Sequence, residues 1–193
     1  VESRVRARTR RAILTAAASL LARNRGATLA EIAEAADVGR TSLHRYFPDR
    51  ESLIDAVVRD SAGVMGRAVQ EARLGDDDPV RALRRLVATM LDAGDRLLFL
   101  YGDPGVRAAY ESLREPGDST GAVADLIERG RAEGVFDSGV SSAWTESVLW
   151  ALVYAGCDAV HQGRLLRHEA LDSVLRSLEN GLRAKGAGEE RDV

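Results

Sequence analysis

The chain of 193 residues carries 45% hydrophobic and 30% charged residues with 18 Gly and 4 Pro, enough apolar side chain for a real core and unlike disordered, collagen-like or low-complexity compositions. No run approaches the roughly 18 uninterrupted apolar residues that span a bilayer, so membrane insertion is excluded. The net charge of −3 hides an asymmetry: residues 1–50 hold ten Arg against five Asp or Glu, a net of +5, while residues 51–193 hold 17 basic against 25 acidic residues, a net of −8. This pattern fits either a head that meets nucleic acid on a body that avoids it, or a solvated arginine-rich face.

The Arg-rich start over 1–11 leads into an amphipathic segment, which is unlike a secretory signal and places the chain in the cytoplasm. Periodicity is helical almost throughout and predicts an all-α protein of about nine helices. A first helix over 9–25 sets Ile13, Ala17, Leu20 and Leu21 on one face, with Gly26 past its end. Thr28 caps a short second helix whose Leu29, Ile32, Ala33 and Ala36 share a face, and Glu31, three residues on, completes a capping box. Asp37-Val38-Gly39 makes a turn into a third helix over 40–47, where Leu43 and Phe47 face inward and Pro48 stops the helix.

Asp49 caps a long fourth helix over 50–74 that can link head to body. Asp76, Asp77 and Asp78 then precede Pro79; calcium loops spread their ligands over some dozen positions, so Asp78 is read as a cap with Pro79 opening a helix and no metal is expected. Further helices are predicted over 80–101, 104–115, 120–134, 141–162 and 168–185, with a flexible tail over 186–193. The 141–162 helix is apolar on two faces, Trp144, Val148, Leu152 and Ala155 on one and Leu149, Val153, Gly156 and Val160 on the other. Two apolar faces need two partners, the chain itself and a second subunit, with Ala155, Gly156 and Ala159 small enough for close approach; a central helix of a larger monomeric bundle is the alternative. The last helix bears one stripe, Leu171, Val174, Leu175, Leu178 and Leu182. The lone Cys157 cannot close an internal disulfide or build a thiolate zinc site, and is expected as a buried small apolar residue.

Chemistry concentrates in residues 28–47, two short helices joined by a turn. Apart from Leu43 and Phe47, the second of them presents Arg40, Thr41, Ser42, His44, Arg45 and Tyr46. A helix fits the major groove of DNA, a guanidinium takes guanine O6 and N7 together, and hydroxyls and phenols serve phosphates. A generic amphipathic hairpin is the alternative.

The run from Thr28 through Ala30-Glu31-Ile32-Ala33, the Ala36-Asp37-Val38 turn, Leu43-His44-Arg45-Tyr46-Phe47 and Asp49-Arg50-Glu51-Ser52-Leu53 resembles the signature of TetR-type transcriptional regulators. The motif-level resemblance covers about residues 9–60; beyond it only helix count, length and the two terminal helices agree. It implies a helix-turn-helix DNA-binding domain over 1–49 and an effector-binding and dimerisation domain over 50–185. It further implies that Thr28 holds a phosphate, that Arg40, Thr41 and Ser42 face the groove, and that Arg50 takes the place of a backbone-contacting Lys. His44 stands where the family usually has a phosphate-binding Tyr, and Tyr46 where it often has His. Gly39, Thr41 and His44 depart from the usual residues and bear on base preference. Arg4, Arg6, Arg8, Arg10 and Arg11 read as a DNA-following arm or as a disordered, solubilising start.

The implied function is a homodimeric repressor, paired through its last two helices, that binds a palindromic operator and releases it on binding an unknown small molecule. Candidate pocket residues are Met90, Phe99, Tyr101, Tyr110, Trp144, Trp150, Tyr154, Asp158 and His161. With 5% aromatic residues, a cage for large planar cations is not suggested. A helical protein-interaction module and an effector-independent DNA-binding protein are the other readings. An enzyme is not expected, nor a cofactor: there is no Gly-rich phosphate loop, and His44, His161 and His168 are scattered without a neighbouring nucleophile.

Overall fold

The computed structural model describes residues 4–76, 78–113 and 119–182, and among them it holds ten helices and no β-strand. The predicted tail over 186–193, and the ends of the helices predicted over 104–115 and 168–185, lie outside the described residues. The chain divides into two compact units. One comprises residues 1–65 with 95–114, the other 66–94 with 115–193.

The first unit contains α1 (Arg4–Arg23), α2 (Leu29–Ala35), α3 (Arg40–Tyr46), most of α4 (Arg50–Glu71), nearly all of α6 (Gly94–Gly102), and α7 (Pro104–Ser112). Its core is Ile13, Leu14, Ala17 and Leu21 of α1, Ile32 of α2, Leu43 of α3, Phe47, and Leu53 and Val57 of α4. α1 starts at Arg4 rather than near residue 9, so Arg4 to Arg8 form its first turns rather than a disordered start. No Gly or Pro interrupts that stretch, and the Thr9 hydroxyl donates to the Val5 carbonyl at 3.0 Å.

One arginine ties three of these helices together. Arg96 of α6, only 8% exposed, donates to the Leu14 carbonyl (3.1 Å) and Thr15 Oγ1 (3.0 Å) of α1 and to Ser61 Oγ (3.4 Å) of α4. The same guanidinium lies 2.9 Å from Asp60 Oδ2, also on α4. A buried guanidinium is tolerable only when its charge and donors are matched in this way. The sequence boundary after residue 49 therefore differs from the division by compactness, which groups α6 and α7 with the helix-turn-helix.

The second unit contains the last residues of α4, α5 (Pro79–Asp92), α8 (Ser119–Ala132), α9 (Ser142–His161) and α10 (Arg167–Leu182). Asp78 caps α5 as expected, Oδ1 accepting from the amides of Val80 and Arg81, with Pro79 as first helical residue. The stretch predicted as one helix over 80–101 is two. Its ladder breaks at Ala93, whose N–H turns back to the Thr89 and Leu91 carbonyls, just before Gly94, a poor helix former with the Cys157 thiol 3.4 Å from where its Cβ would stand.

α9 carries the two faces read in the sequence. Leu149, Val153 and Gly156 are buried with Cys157, whereas Trp144 is 61% exposed, Ala155 is exposed, and Val148 and Leu152 are half-buried. Gly156 serves the inward packing: a Cβ there would stand 2.8 Å from Val174 of α10 and 3.3 Å from Leu91 of α5. On α10, Val174 and Leu178 are buried and Leu171 and Leu175 half-buried.

Candidate nucleic-acid interface

α2 starts where the chain supplies its own cap. Thr28 Oγ1 accepts the Glu31 amide at 3.3 Å, and Glu31 Oε2 accepts the Thr28 amide at 2.6 Å and its hydroxyl at 2.8 Å. The Thr28 amide, more than its hydroxyl, holds the Glu31 carboxyl below the usual carboxylate range. The Thr28 hydroxyl, which the resemblance assigns to a phosphate, is thus engaged with Glu31 within the chain.

The turn out of α2 is a Schellman closure: the Val38 amide reaches the Ala33 carbonyl at 2.9 Å and the Asp37 amide the Glu34 carbonyl at 3.0 Å. The residue in the left-handed region is Asp37, φ 53°, one of the side-chain types that tolerate it. Gly39 has φ −66° and acts as the N-cap of α3, with no side chain to satisfy the first amides.

Leu43 (0% exposed) and Phe47 (3%) anchor α3 to its unit. Arg40, Thr41, His44 and Arg45 are exposed, and Ser42 and Tyr46 half-buried. A seven-residue helix held by two apolar contacts thus presents cationic, hydroxyl, imidazole and phenol groups together. His44 Nδ1 lies 3.3 Å from the Pro48 carbonyl; a ring that donates there leaves Nε2 as the nitrogen able to meet a phosphate. Tyr46 is flanked by the Arg45 guanidinium, 5.8 Å from the ring centroid, and Arg10 of α1 lies 5.6 Å from the Phe47 centroid. Arg4, Arg8 and Arg11 are exposed on α1.

Arg50, assigned by resemblance to the DNA backbone, is half-buried and turned onto its own chain. Its guanidinium donates to the carbonyls of Ala27 and of Arg25, fastening the loop after α1 to the start of α4. Asp49 caps α4 as predicted, accepting the Ser52 amide at 2.7 Å, and that bond lowers its carboxyl's pKa.

The nine candidate pocket residues are divided between the two units. Phe99, Tyr101 and Tyr110 belong to the first unit, where the two tyrosine rings pack edge to face at 5.8 Å. Met90, Trp144, Trp150, Tyr154, Asp158 and His161 belong to the second. There Met90 is fully buried, Trp150 donates to Glu146, and Asp158 accepts from Gln162 and pairs with Arg164 at 2.6 Å. Tyr154 and His161 are half-buried. The residue that sequence reasoning missed is Arg96. Its signal was present, a lone cation set directly before Leu97-Leu98-Phe99-Leu100, since a charge inside an apolar run has to find partners in the fold.

The model of the tetR family of bacterial regulatory proteins matches residues 13–57. The HTH-type transcriptional repressor LfrR of Mycolicibacterium smegmatis is 36% identical over 184 residues, 94% of either chain. The HTH-type transcriptional regulator NfxB of Pseudomonas aeruginosa is 32% identical over 146 residues, 72% of this chain and 75% of that one. The crystal structure of the TetR-like regulator LfrR from Mycobacterium smegmatis in complex with proflavine superposes with a TM-score of 0.70 at 34% identity, covering 90% of this chain and 96% of that one.

Proposed function

The chain belongs to the tetR family of bacterial regulatory proteins, a family of DNA-binding transcription regulators rather than enzymes, and from that premise we propose that it is a repressor that binds a palindromic operator as a homodimer and releases it when a small molecule binds. The observation that carries the reading is α3, whose apolar residues are spent on anchorage while Arg40, Thr41, His44 and Arg45 stand exposed. In this reading Arg40, Thr41 and Ser42 address base edges, and His44, Arg45 and Tyr46 address phosphates. Arg50 contributes by holding the loop before α2, a role supported by its bonds to Ala27 and Arg25. Thr28 contributes by fixing the start of α2.

The outward faces of α9 and α10 support pairing of two copies through these helices. Trp144 of α9 is exposed, and Val148, Leu152, Leu171 and Leu175 are only half covered, an apolar strip that a second copy would cover. Residues 50–185 are assigned effector binding and dimerisation, and 1–49 DNA binding. Among the described residues no helix is long and apolar enough to cross a membrane; a DNA target supports a cytoplasmic location.

For the effector, a content of 5% aromatic residues points away from a cage for planar cations, while the relative solved with proflavine points toward one. Proflavine is therefore the first probe, titrated against the protein without DNA because it also intercalates. The operator test is selection of bound duplexes from a random pool followed by titration at two salt concentrations. A palindrome with half-sites about one helical turn or somewhat more apart, and an affinity that falls steeply with salt, is the expected result. Recovery of no sequence preference by ligand-stripped protein overturns the reading.

A further inference from the structure

The first unit contains a pocket of about 190 Å³, partly open to solvent, lined from α1, α4, α6, α7 and the residues beside them. Leu21, Ala22, Ile54, Leu98, Phe99 and Val106 make its wall apolar. Arg25, Arg50 and Asp103 complete the lining. We propose that this cavity is a binding site for a small monocarboxylate with an apolar tail, the carboxylate meeting Arg25 and Arg50 and the tail lying against Phe99 and Ile54.

Size fixes the first part of that class. An apolar cavity of about 150 Å³ holds benzene, and drug-sized ligands need about 300 Å³ or more. A space of about 190 Å³ therefore takes a six-carbon body and one further small group. Charge fixes the second. Arg50's partners are two neutral carbonyls, which orient its guanidinium without neutralising it. Asp103 spends Oδ1 on capping α7, accepting the Gly105 and Val106 amides at 2.8 and 3.1 Å. Its Oδ2 lies 4.0 Å from Arg25, beyond hydrogen-bond reach. Two guanidiniums thus face one partly committed carboxylate, and an incoming carboxylate completes the balance with charge-assisted bonds. An inorganic anion would leave the apolar wall uncovered, and an amine would meet the wrong sign. The carboxylate site can be read without DNA, so its test uses the DNA-free protein.

The experiment titrates the full chain with benzoate, followed by NMR of the methyl groups of Ile54, Leu98 and Val106. Saturable shifts in the millimolar range are expected. Benzamide, of nearly the same shape without the charge, and the Arg25→Gln variant with benzoate should each show affinity lower by about tenfold or more. Arg25 is 61% exposed along its side chain, so its replacement leaves the core untouched. Shifts confined to the second unit, equal binding of benzamide, or unchanged affinity in Arg25→Gln overturns the proposal, as does the absence of saturation.

Discussion

The recognition helix α3 and the long helix α9 use apolar residues in opposite ways. α3 has seven residues, of which Leu43 alone is buried within the helix, while Arg40, Thr41, His44 and Arg45 stand exposed. α9 has twenty residues and buries Thr145, Leu149, Val153, Gly156, Cys157 and Ala159 while still holding Trp144 out to solvent. A short helix committed to the surface advertises its partner through side-chain chemistry. A long, well-packed helix advertises only that it has neighbours, because apolar groups carry no label for what covers them.

The sharpest way to break this contrast is the same deletion in both helices. Leu43 and Leu149 are each 0% exposed, and Leu→Ala at either should cost about 3 kcal/mol of stability in denaturant titrations. Only Leu43→Ala should also weaken operator binding by the molecules that remain folded, seen as a raised dissociation constant after correction for the folded fraction. Equal loss from Leu149→Ala would mean that α9 shapes the reading head as directly as its own anchor does.

Next in size is Arg96→Met, which leaves Asp60 beside the buried Ser61 without its cation. Asp60 is 25% exposed along its side chain, which moderates the penalty, and a loss of about 2 kcal/mol is expected. Faster amide exchange should appear in α1 and α4 first, and a second change, Asp60→Leu, should restore part of the loss. Strict additivity of the two would show that the bridge does not hold these helices together.

Arg40→Ala should cost about 1 to 3 kcal/mol on the selected operator and relax base choice at one position of each half-site. Competition with random DNA checks this, since a phosphate-only contact would weaken both duplexes alike. The smallest effect concerns Glu31, whose folded pKa is depressed by Thr28. A depressed carboxyl stabilises above its unfolded pKa, near 4.5, and that contribution is lost as pH falls through the folded value. The wild type should therefore lose thermal stability below pH 4.5 more steeply than Glu31→Gln, by scanning calorimetry.

Local rules explain what the sequence makes legible. Thr28 with Glu31, Asp49 with Ser52, and Asp78 with Pro79 mark helix starts because each cap is settled within three residues. Leu43 and Phe47 are readable as anchors because nothing else near them is apolar. The break at Ala93 is not readable, since apolar spacing continues from Leu91 into Leu97 and Leu98. Arg96 finds Leu14 and Thr15 some eighty residues away, beyond any local pattern. The candidate pocket residues divide between the two units for the same reason: periodicity says that Met90 and Phe99 turn inward, not which interior receives them.

Cys157 sits with its sulfur 3.8 Å from the Met90 carbonyl, 2% exposed, where α5 gives way to Gly94. A thiol shut in this way reacts with an alkylating reagent only while its surroundings are open. Since it is the sole cysteine of the chain, the mass gained on labelling counts those openings one molecule at a time. The protein thus carries its own clock for the breathing of its second unit, and any ligand that holds that unit closed would be heard as a slowing of that clock.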